Sequence, residues 1–191
     1  MNIETLTAIA LGIGLSASTG FRVFVPMLVA SVAAHLKLIP LTDGFAWLGS
    51  WPAMICFGAA TVAELVTYYI PFVDNLLDVI TTPLAVGAGT LLMTSVLPVD
   101  NEMLKWITGL IVGGGAAATI QSGSVMTRLA SSKLTAGVGN PVVATGEHAA
   151  AFGFSIMTLI APIIVSVIFV VILFFIFRKL GRKLFNSNPS Q

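Results

Sequence analysis

Long apolar runs separated by short polar clusters dominate the chain. The first extends from about Thr5 to Leu36 and is interrupted by Ser16, Ser18, Thr19, Gly20, Arg22 and Pro26. A bilayer crossing needs about 20 apolar residues, so this run is long for one. Proline removes a backbone donor and crowds the preceding turn, so a break or kink is expected within it. The second run, Trp51 to Ile70, holds Glu64. Ser50 is placed to cap it, and Trp47 and Trp51 suit a membrane interface. A polar bend follows at Pro71, Asp74 and Asp78. Then Thr82-Pro83 either starts a helix, or Pro83 kinks one that begins near Leu76. That run ends at about Leu97, and Asp100 is placed to cap the next helix. The fourth run, Met103 to Ile120, carries a Gly109–Gly113 pair, the spacing that lets helix backbones approach closely.

Ser122 to Asn140 is more polar and holds Arg128 and Lys133. Gly137 and Gly139 break it, and Asn140-Pro141 suits a helix start, with Asn140 as the cap. Glu147 and His148 follow, and no charge occurs from Ala149 to Phe177, where Pro162 is a kink site. Arg178, Lys179, Arg182 and Lys183 come next. The positive-inside rule puts this C-terminal end in the cytoplasm, with the protein in the inner membrane.

The pattern predicts an all-α fold: a polytopic transmembrane bundle of about five to six spans. Residues 1–185 form a single transmembrane domain, and 186–191 are a disordered tail. The chain divides into halves, about 5–97 and 103–180, that pair as inverted repeats with broken or re-entrant helices. Leu11 to Leu36 corresponds to Leu110 to Leu134, and Glu64 corresponds to Glu147. Residues 141 to 177 are long for one helix, so a half-helix or re-entrant piece is expected from Pro141 to about Gly153.

Composition sharpens the membrane reading. Of 191 residues, 57% are hydrophobic and 9% charged, with mean hydropathy +1.00. Soluble domains carry roughly a quarter charged residues, and a chain this short cannot hide the deficit in a core. Net charge is +1, without a basic block before the C-terminus, which argues against nucleic acid as a partner. Cys56, the single cysteine, reads as a small helix-packing residue. No Cys/His cluster implies a metal, no motif implies a cofactor, and no motif of an enzyme is present. Glu4 is the first charge and no basic region precedes the apolar run, so a cleavable signal is not expected and Thr5 onward reads as mature protein. The expected partners are the bilayer, a small solute or ion, and a second copy of the chain.

Ionisable groups inside spans are costly, so each is a functional candidate. Arg22 lies roughly 25 Å of helix from Thr5 at about 1.5 Å per residue, too deep to reach the surface easily. It needs a carboxylate, helix-end carbonyls or water. One reading is a structural ion pair with Glu64 or Glu147. The other is an anion or headgroup site, with hydroxyls from Ser16, Ser18 and Thr19 and the positive end of a helix restarting at Gly20. Gln121, Ser122 and Ser124 hold the comparable place in the second half. Glu64 and Glu147 would balance or couple charge movement, and Asn140 and His148 complete the candidate binding set. Plainer readings are an interfacial place for His148, a first-turn place for Glu147 after a Thr145 cap, bend or cap roles for Asp74 and Asp78, and positive-inside roles for Arg128 and Lys133. The functional expectation is transport or channel-type passage of a small polar or anionic solute or a lipid headgroup. A non-transporting scaffold is the alternative, and an intramembrane lipid-modifying enzyme using Glu64, Glu147 and His148 is a third class.

The motifs Gly-Leu-Ser-Ala-Ser-Thr-Gly-Phe-Arg (Gly14 to Arg22), Glu64 followed by Ile70-Pro71-Phe72-Val73-Asp74, Thr82-Pro83-Leu84, Arg128, and Gly137-Val138-Gly139-Asn140-Pro141 leading to Glu147 resemble one family. It is the bacterial membrane family catalogued as domain of unknown function 4126. The likeness spans most of the chain and implies a multi-pass membrane fold without an established activity. The sequence differs from the family pattern at Tyr68-Tyr69, where Asp-Lys is common, at Thr82, where Arg often precedes the proline, and at His148, where Asp often follows the glutamate.

Overall fold

The computed structural model describes residues 2–70 and 73–185, excepting the side chains at 74, 75, 177 and 179–185. The Pro71 bend and the tail from Asn186 lie outside the described residues. Among the described residues the fold is all-helical: α1 (Ile3–Ser18), α2 (Phe24–His35), a 3-10 helix (Asp43–Gly49), α3 (Trp51–Thr67), α4 (Val73–Val96), α5 (Glu102–Thr108), a π-helical turn (Gly109–Gly114), α6 (Gly115–Thr135), α7 (Asn140–Ile160) and α8 (Pro162–Phe185). Three helical stretches are long and apolar enough to cross a membrane: Leu76–Val96, Glu102–Thr135 and Asn140–Ile160. A fourth is added if the 3-10 helix and α3, bent by 60°, count as one span.

The break expected in the first apolar run is present, at residues 19–23 rather than at Pro26. Pro26 sits in the first turn of α2, where its missing N–H has no intrahelical partner to lose. The chain doubles back at the break. Leu11 and Leu15 of α1 pack with Met27, Ala30 and Ala33 of α2. Ile3 and Thr7 share a cavity of about 270 Å³ with Leu38, Ile39 and Pro40. The result is a helical hairpin whose tip, Thr19 to Val23, lies inside the bundle.

The other helices alternate in direction. Trp51 starts α3 against His35, with ring centroids 5.0 Å apart, and Trp106 of α5 lies 5.8 Å from Phe45. These residues define a tryptophan end. Tyr68, Asp78, Arg128 and Asn140 lie toward the opposite, tyrosine end. Ser50 caps α3 as expected, accepting from the Ala53 amide at 3.3 Å. Pro83 lies inside α4.

Several local expectations are corrected. Asn101, not Asp100, caps α5, accepting from Leu104 N at 3.0 Å. Gly139 takes the cap position of α7 and Asn140 is its first residue. The intervening chain turns through left-handed Ala136 (φ 52°) and Gly137 (φ 88°). Residues 141 to 177 resolve into two helices, so no half-helix ends near Gly153. Ala161 leaves helical geometry (φ −138°) before Pro162, as the residue preceding a proline tends to do. Helix α8 then returns along α7, with the Phe169 ring tilted against Phe154 at 5.0 Å between centroids. Cys56, expected as a small helix-packing residue, is exposed.

Gly109 and Gly113 pack against α4 of the same chain. A Cβ on Gly113 would lie 2.5 Å from the Met93 Cβ and closer still to the Gly89 carbonyl oxygen. The approach is reciprocal, since a Cβ on Gly89 would lie 2.7 Å from the Gly113 carbonyl. This is the close backbone packing that small residues permit. The segments compared as repeat partners differ in form, because Leu11 to Leu36 folds as a hairpin and Leu110 to Leu134 is continuous helix.

Candidate functional site: a buried guanidinium–carboxylate cluster

The hairpin tip carries Arg22 into the bundle, where it is 1% exposed. Its Nη1 lies 2.9 Å from Glu147 Oε2 of α7 and donates to the Phe21 carbonyl at 3.0 Å. Its Nη2 donates to the Ala144 carbonyl at 3.4 Å. Glu147 is shared, because its Oε1 lies 3.4 Å from Nε of Arg128 on α6. Arg128, also 1% exposed, reaches Asp78 Oδ1 of α4 through Nη1 at 2.5 Å. The Tyr68 ring stands against both cations, with Arg22 Cζ 3.7 Å and Arg128 Cζ 4.6 Å from its centroid. Its hydroxyl donates to Asp78 Oδ1 at 3.3 Å and meets Thr81 Oγ1 at 3.1 Å. Gln121 Nε2 donates to the same Thr81 oxygen at 3.2 Å. An aromatic ring within reach of two guanidiniums adds a quadrupole attraction to each.

Glu64 does not pair with Arg22. Its carboxylate accepts the Val23 amide at 2.8 Å and the Phe24 amide at 2.9 Å. These are orphan donors at the start of α2, and the helix dipole favours an anion there. The positive helix end expected to receive a ligand is therefore filled by the protein's own carboxylate.

The neighbouring hydroxyls are also committed. Ser16 donates to Gly89 O at 2.7 Å and Ser18 to Gly14 O at 2.8 Å. Thr19 Oγ1 contacts the Ser16 and Ala85 carbonyls at 2.7 and 3.2 Å. They satisfy backbone rather than face a ligand. Ser122 lies outside the cluster, exposed and bonded to the Ala118 carbonyl of its own helix at 2.7 Å. Asn140 lies toward the tyrosine end and exchanges hydrogen bonds with Ser132 at 2.9 and 3.2 Å. His148 Nδ1 lies 3.3 Å from the Tyr69 hydroxyl, which also meets Thr145 Oγ1 at 3.0 Å. Thr145 is inside α7 rather than a cap, and Glu147 is two turns into that helix. Among the described residues, no hydrogen bond or ion pair joins Glu64, Glu147 and His148 to one another.

Arg22, Glu64, Arg128, Asn140 and Glu147 fall on the motif residues named above, and over residues 9–182 the chain matches the family model described as Domain of unknown function (DUF4126). The chain belongs to the DUF4126 family. No curated protein and no solved structure matches it.

In this DUF4126 protein the sequence reading missed Asp78, Tyr68, Thr81 and the central role of Arg128. Each stands near a helix end, where charged and aromatic residues ordinarily face an interface. A usable signal was present: Asp78, Arg128 and Glu147 each lie within about two turns of the tyrosine-end terminus of three adjacent helices. Two cavities flank the cluster. One, of about 290 Å³, is lined by Phe21, Ser124, Thr127, Val143, Glu147 and Ile176 among others. The other, of about 390 Å³, reaches Asp78 between α4 and α6.

Proposed function

We propose that this DUF4126 protein is a small multi-pass membrane transporter for an oxyanion, either a free solute or the headgroup of an anionic lipid. The observation that carries this reading is a surplus of buried donors. Arg22 Nε and Arg128 Nη2 have neither a hydrogen bond nor an ion-pair contact among the described residues, and Arg128 Nε and Nη1 are held only by the ion pairs to Glu147 and Asp78. Each guanidinium presents a planar fork of N–H groups suited to carboxylate or phosphate. Unsatisfied charged donors in a bilayer interior are expensive, and a conformation that admits an anion would satisfy them.

In the proposed arrangement α3, α4, α5–α6, α7 and α8 each cross the membrane, and the α1–α2 hairpin is re-entrant from the tryptophan end. Helices α2–α3–α4 run opposite to α6–α7–α8, which supports an inverted pairing of the halves. Lys133 and the basic C-terminal segment favour a cytoplasmic tyrosine end in the inner membrane, while the Asp100/Glu102 loop falls outside.

The test is anion efflux from proteoliposomes. Arg22→Ala should abolish flux while the protein still inserts and elutes as a folded species. Wild-type flux from that variant would rule out the site. The closed Arg22–Glu147 pair, which none of the cavities described opens onto at Arg22, supports a second reading: a non-transporting scaffold. That reading expects no anion flux from the wild type.

A further inference from the structure

Among the described residues, Glu147 is the carboxylate shared by both guanidiniums, and it also lines a cavity. Its two oxygens face Arg22 and Arg128 at 2.9 and 3.4 Å, yet neither makes a hydrogen bond of good geometry. It is held by charge rather than by directed bonds, whereas Glu64 is fixed by two backbone amides. The cavity beside Glu147, about 290 Å³, opens between α6, α7 and α8. Its wall includes Ser124, which is 6% exposed and makes no side-chain hydrogen bond among the described residues. The remaining walls are largely apolar: Phe21, Ile120, Val143, Ile172 and Ile176.

We propose that Glu147 is the resident occupant of the oxyanion site, that a carboxylate- or phosphate-type anion entering from this cavity displaces it, and that Glu147 takes up one proton as it leaves. This rests on the transport reading above. The cluster pairs two cations, Arg22 and Arg128, with two anions, Glu147 and Asp78, while Glu64 is offset by the start of α2. An added anion would leave the buried site with excess negative charge. A displaced Glu147 would lie against apolar walls without a counter-charge, where the ionised form is strongly disfavoured. Protonation solves both problems. A proton from the aqueous phase forms an O–H bond on a Glu147 carboxyl oxygen, and the incoming anion takes over the guanidinium contacts. The total charge of the site is unchanged, so anion entry is linked to proton entry.

The other groups facing Glu147 leave it as the exchangeable one. Arg22 at the hairpin tip and Arg128 on α6 stay cationic as the anion's partners. Asp78 on α4 is held by Arg128 and the Tyr68 hydroxyl, and Glu64 on α3 is tied to α2. His148, on the same helix as Glu147, is engaged by Tyr69. Helix α8 carries no ionisable residue from Pro162 to Ile176.

The test is calorimetric titration of the full chain in phosphatidylcholine nanodiscs with sodium butyrate, repeated in buffers of different ionisation enthalpy to count protons. A parallel arm replaces butyrate with phosphatidic acid in the nanodisc and follows proton uptake on reconstitution. Wild type is expected to take up about one proton per anion bound. Glu147→Gln, whose site has no resident anion, should bind roughly tenfold or more tightly with no proton uptake. Ser124→Leu, which fills the cavity without touching the ion pairs, should lose binding. Signal in the butyrate arm alone identifies a free solute, and signal in the phosphatidic acid arm alone identifies a headgroup. Wild-type binding without proton uptake overturns the exchange while leaving the anion site standing. Absence of binding in both arms overturns the exchange and the transport reading together. Should Glu147→Gln fail to fold, the wild-type proton count still decides.

Discussion

Removing the Glu64 carboxylate should cost more than deleting any hydroxyl at the hairpin, because it serves two backbone donors at once. Glu64 is 7% exposed and Val23 is 3% exposed, so water cannot readily replace it. Its bonds to the Val23 and Phe24 amides, at 2.8 and 2.9 Å, involve an ionised acceptor. Such bonds contribute about 1.5–3 kcal/mol each. Glu64→Ala removes both and leaves two buried N–H groups unpaired, so a loss of about 3–5 kcal/mol is expected. Glu64→Gln keeps one acceptor oxygen and loses the charge, so about half that loss is expected. Unfolding in mixed detergent micelles, followed by tryptophan fluorescence, would measure the series. Hydrogen exchange at Val23 and Phe24 should quicken in the same order, by more than a hundredfold for a loss of about 3 kcal/mol. Glu4→Gln, at an exposed position on α1, should stay within about 0.5 kcal/mol of wild type. The reasoning fails if Glu64→Ala is as stable as Glu4→Gln.

Other positions give equally direct outcomes. Gly113→Ala should destabilise by about 1–3 kcal/mol through overpacking, whereas Gly115→Ala, whose Cβ would meet nothing within 4 Å, should be neutral or stabilising by up to about 1 kcal/mol; thermal unfolding of the two variants side by side checks this. Arg128→Met and Asp78→Leu should each cost about 3–5 kcal/mol by stranding a buried charge, and the double variant should cost less than their sum in a double-mutant cycle. Tyr68→Phe should lose about 1–2 kcal/mol from the two hydroxyl contacts, and Tyr68→Leu should lose more because the ring against both guanidiniums goes as well. Ser122→Ala should leave both stability and anion flux within error of wild type, since its hydroxyl serves only its own helix.

The elements with local causes were legible in the sequence. Ser50 before Trp51-Pro52 gave a helix start, and a run with Ser, Thr, Gly, Arg and Pro in its middle gave a break. Burial of Arg22 followed from the length of apolar chain on either side. The partners did not follow, because they come from helices distant in sequence. Ser16, Ser18 and Thr19 illustrate why. A small hydroxyl in a membrane helix can bond a carbonyl or a ligand, and only the fold shows that α4 presents the Gly89 and Ala85 carbonyls. Glu64 was correctly expected to be inside, yet its partner is backbone, which no residue identity encodes. The doubling-back of α2 also had no local signature, since a kink and a reversal share the same breaker residues.

The placement of Arg22 bears on how the protein is made. The hairpin is synthesised early, while the carboxylate that neutralises it belongs to the seventh helix. A nascent α1–α2 segment would hold an uncompensated cation and two free amides until α3 and then α7 arrive. Insertion is therefore expected to be ordered, with the hairpin waiting at the membrane surface or beside the insertion machinery and sinking to its final depth only after the later helices are in place. Truncated chains ending before Glu147 should leave the Arg22 region open to aqueous labelling reagents, and chains that include α7 should close it.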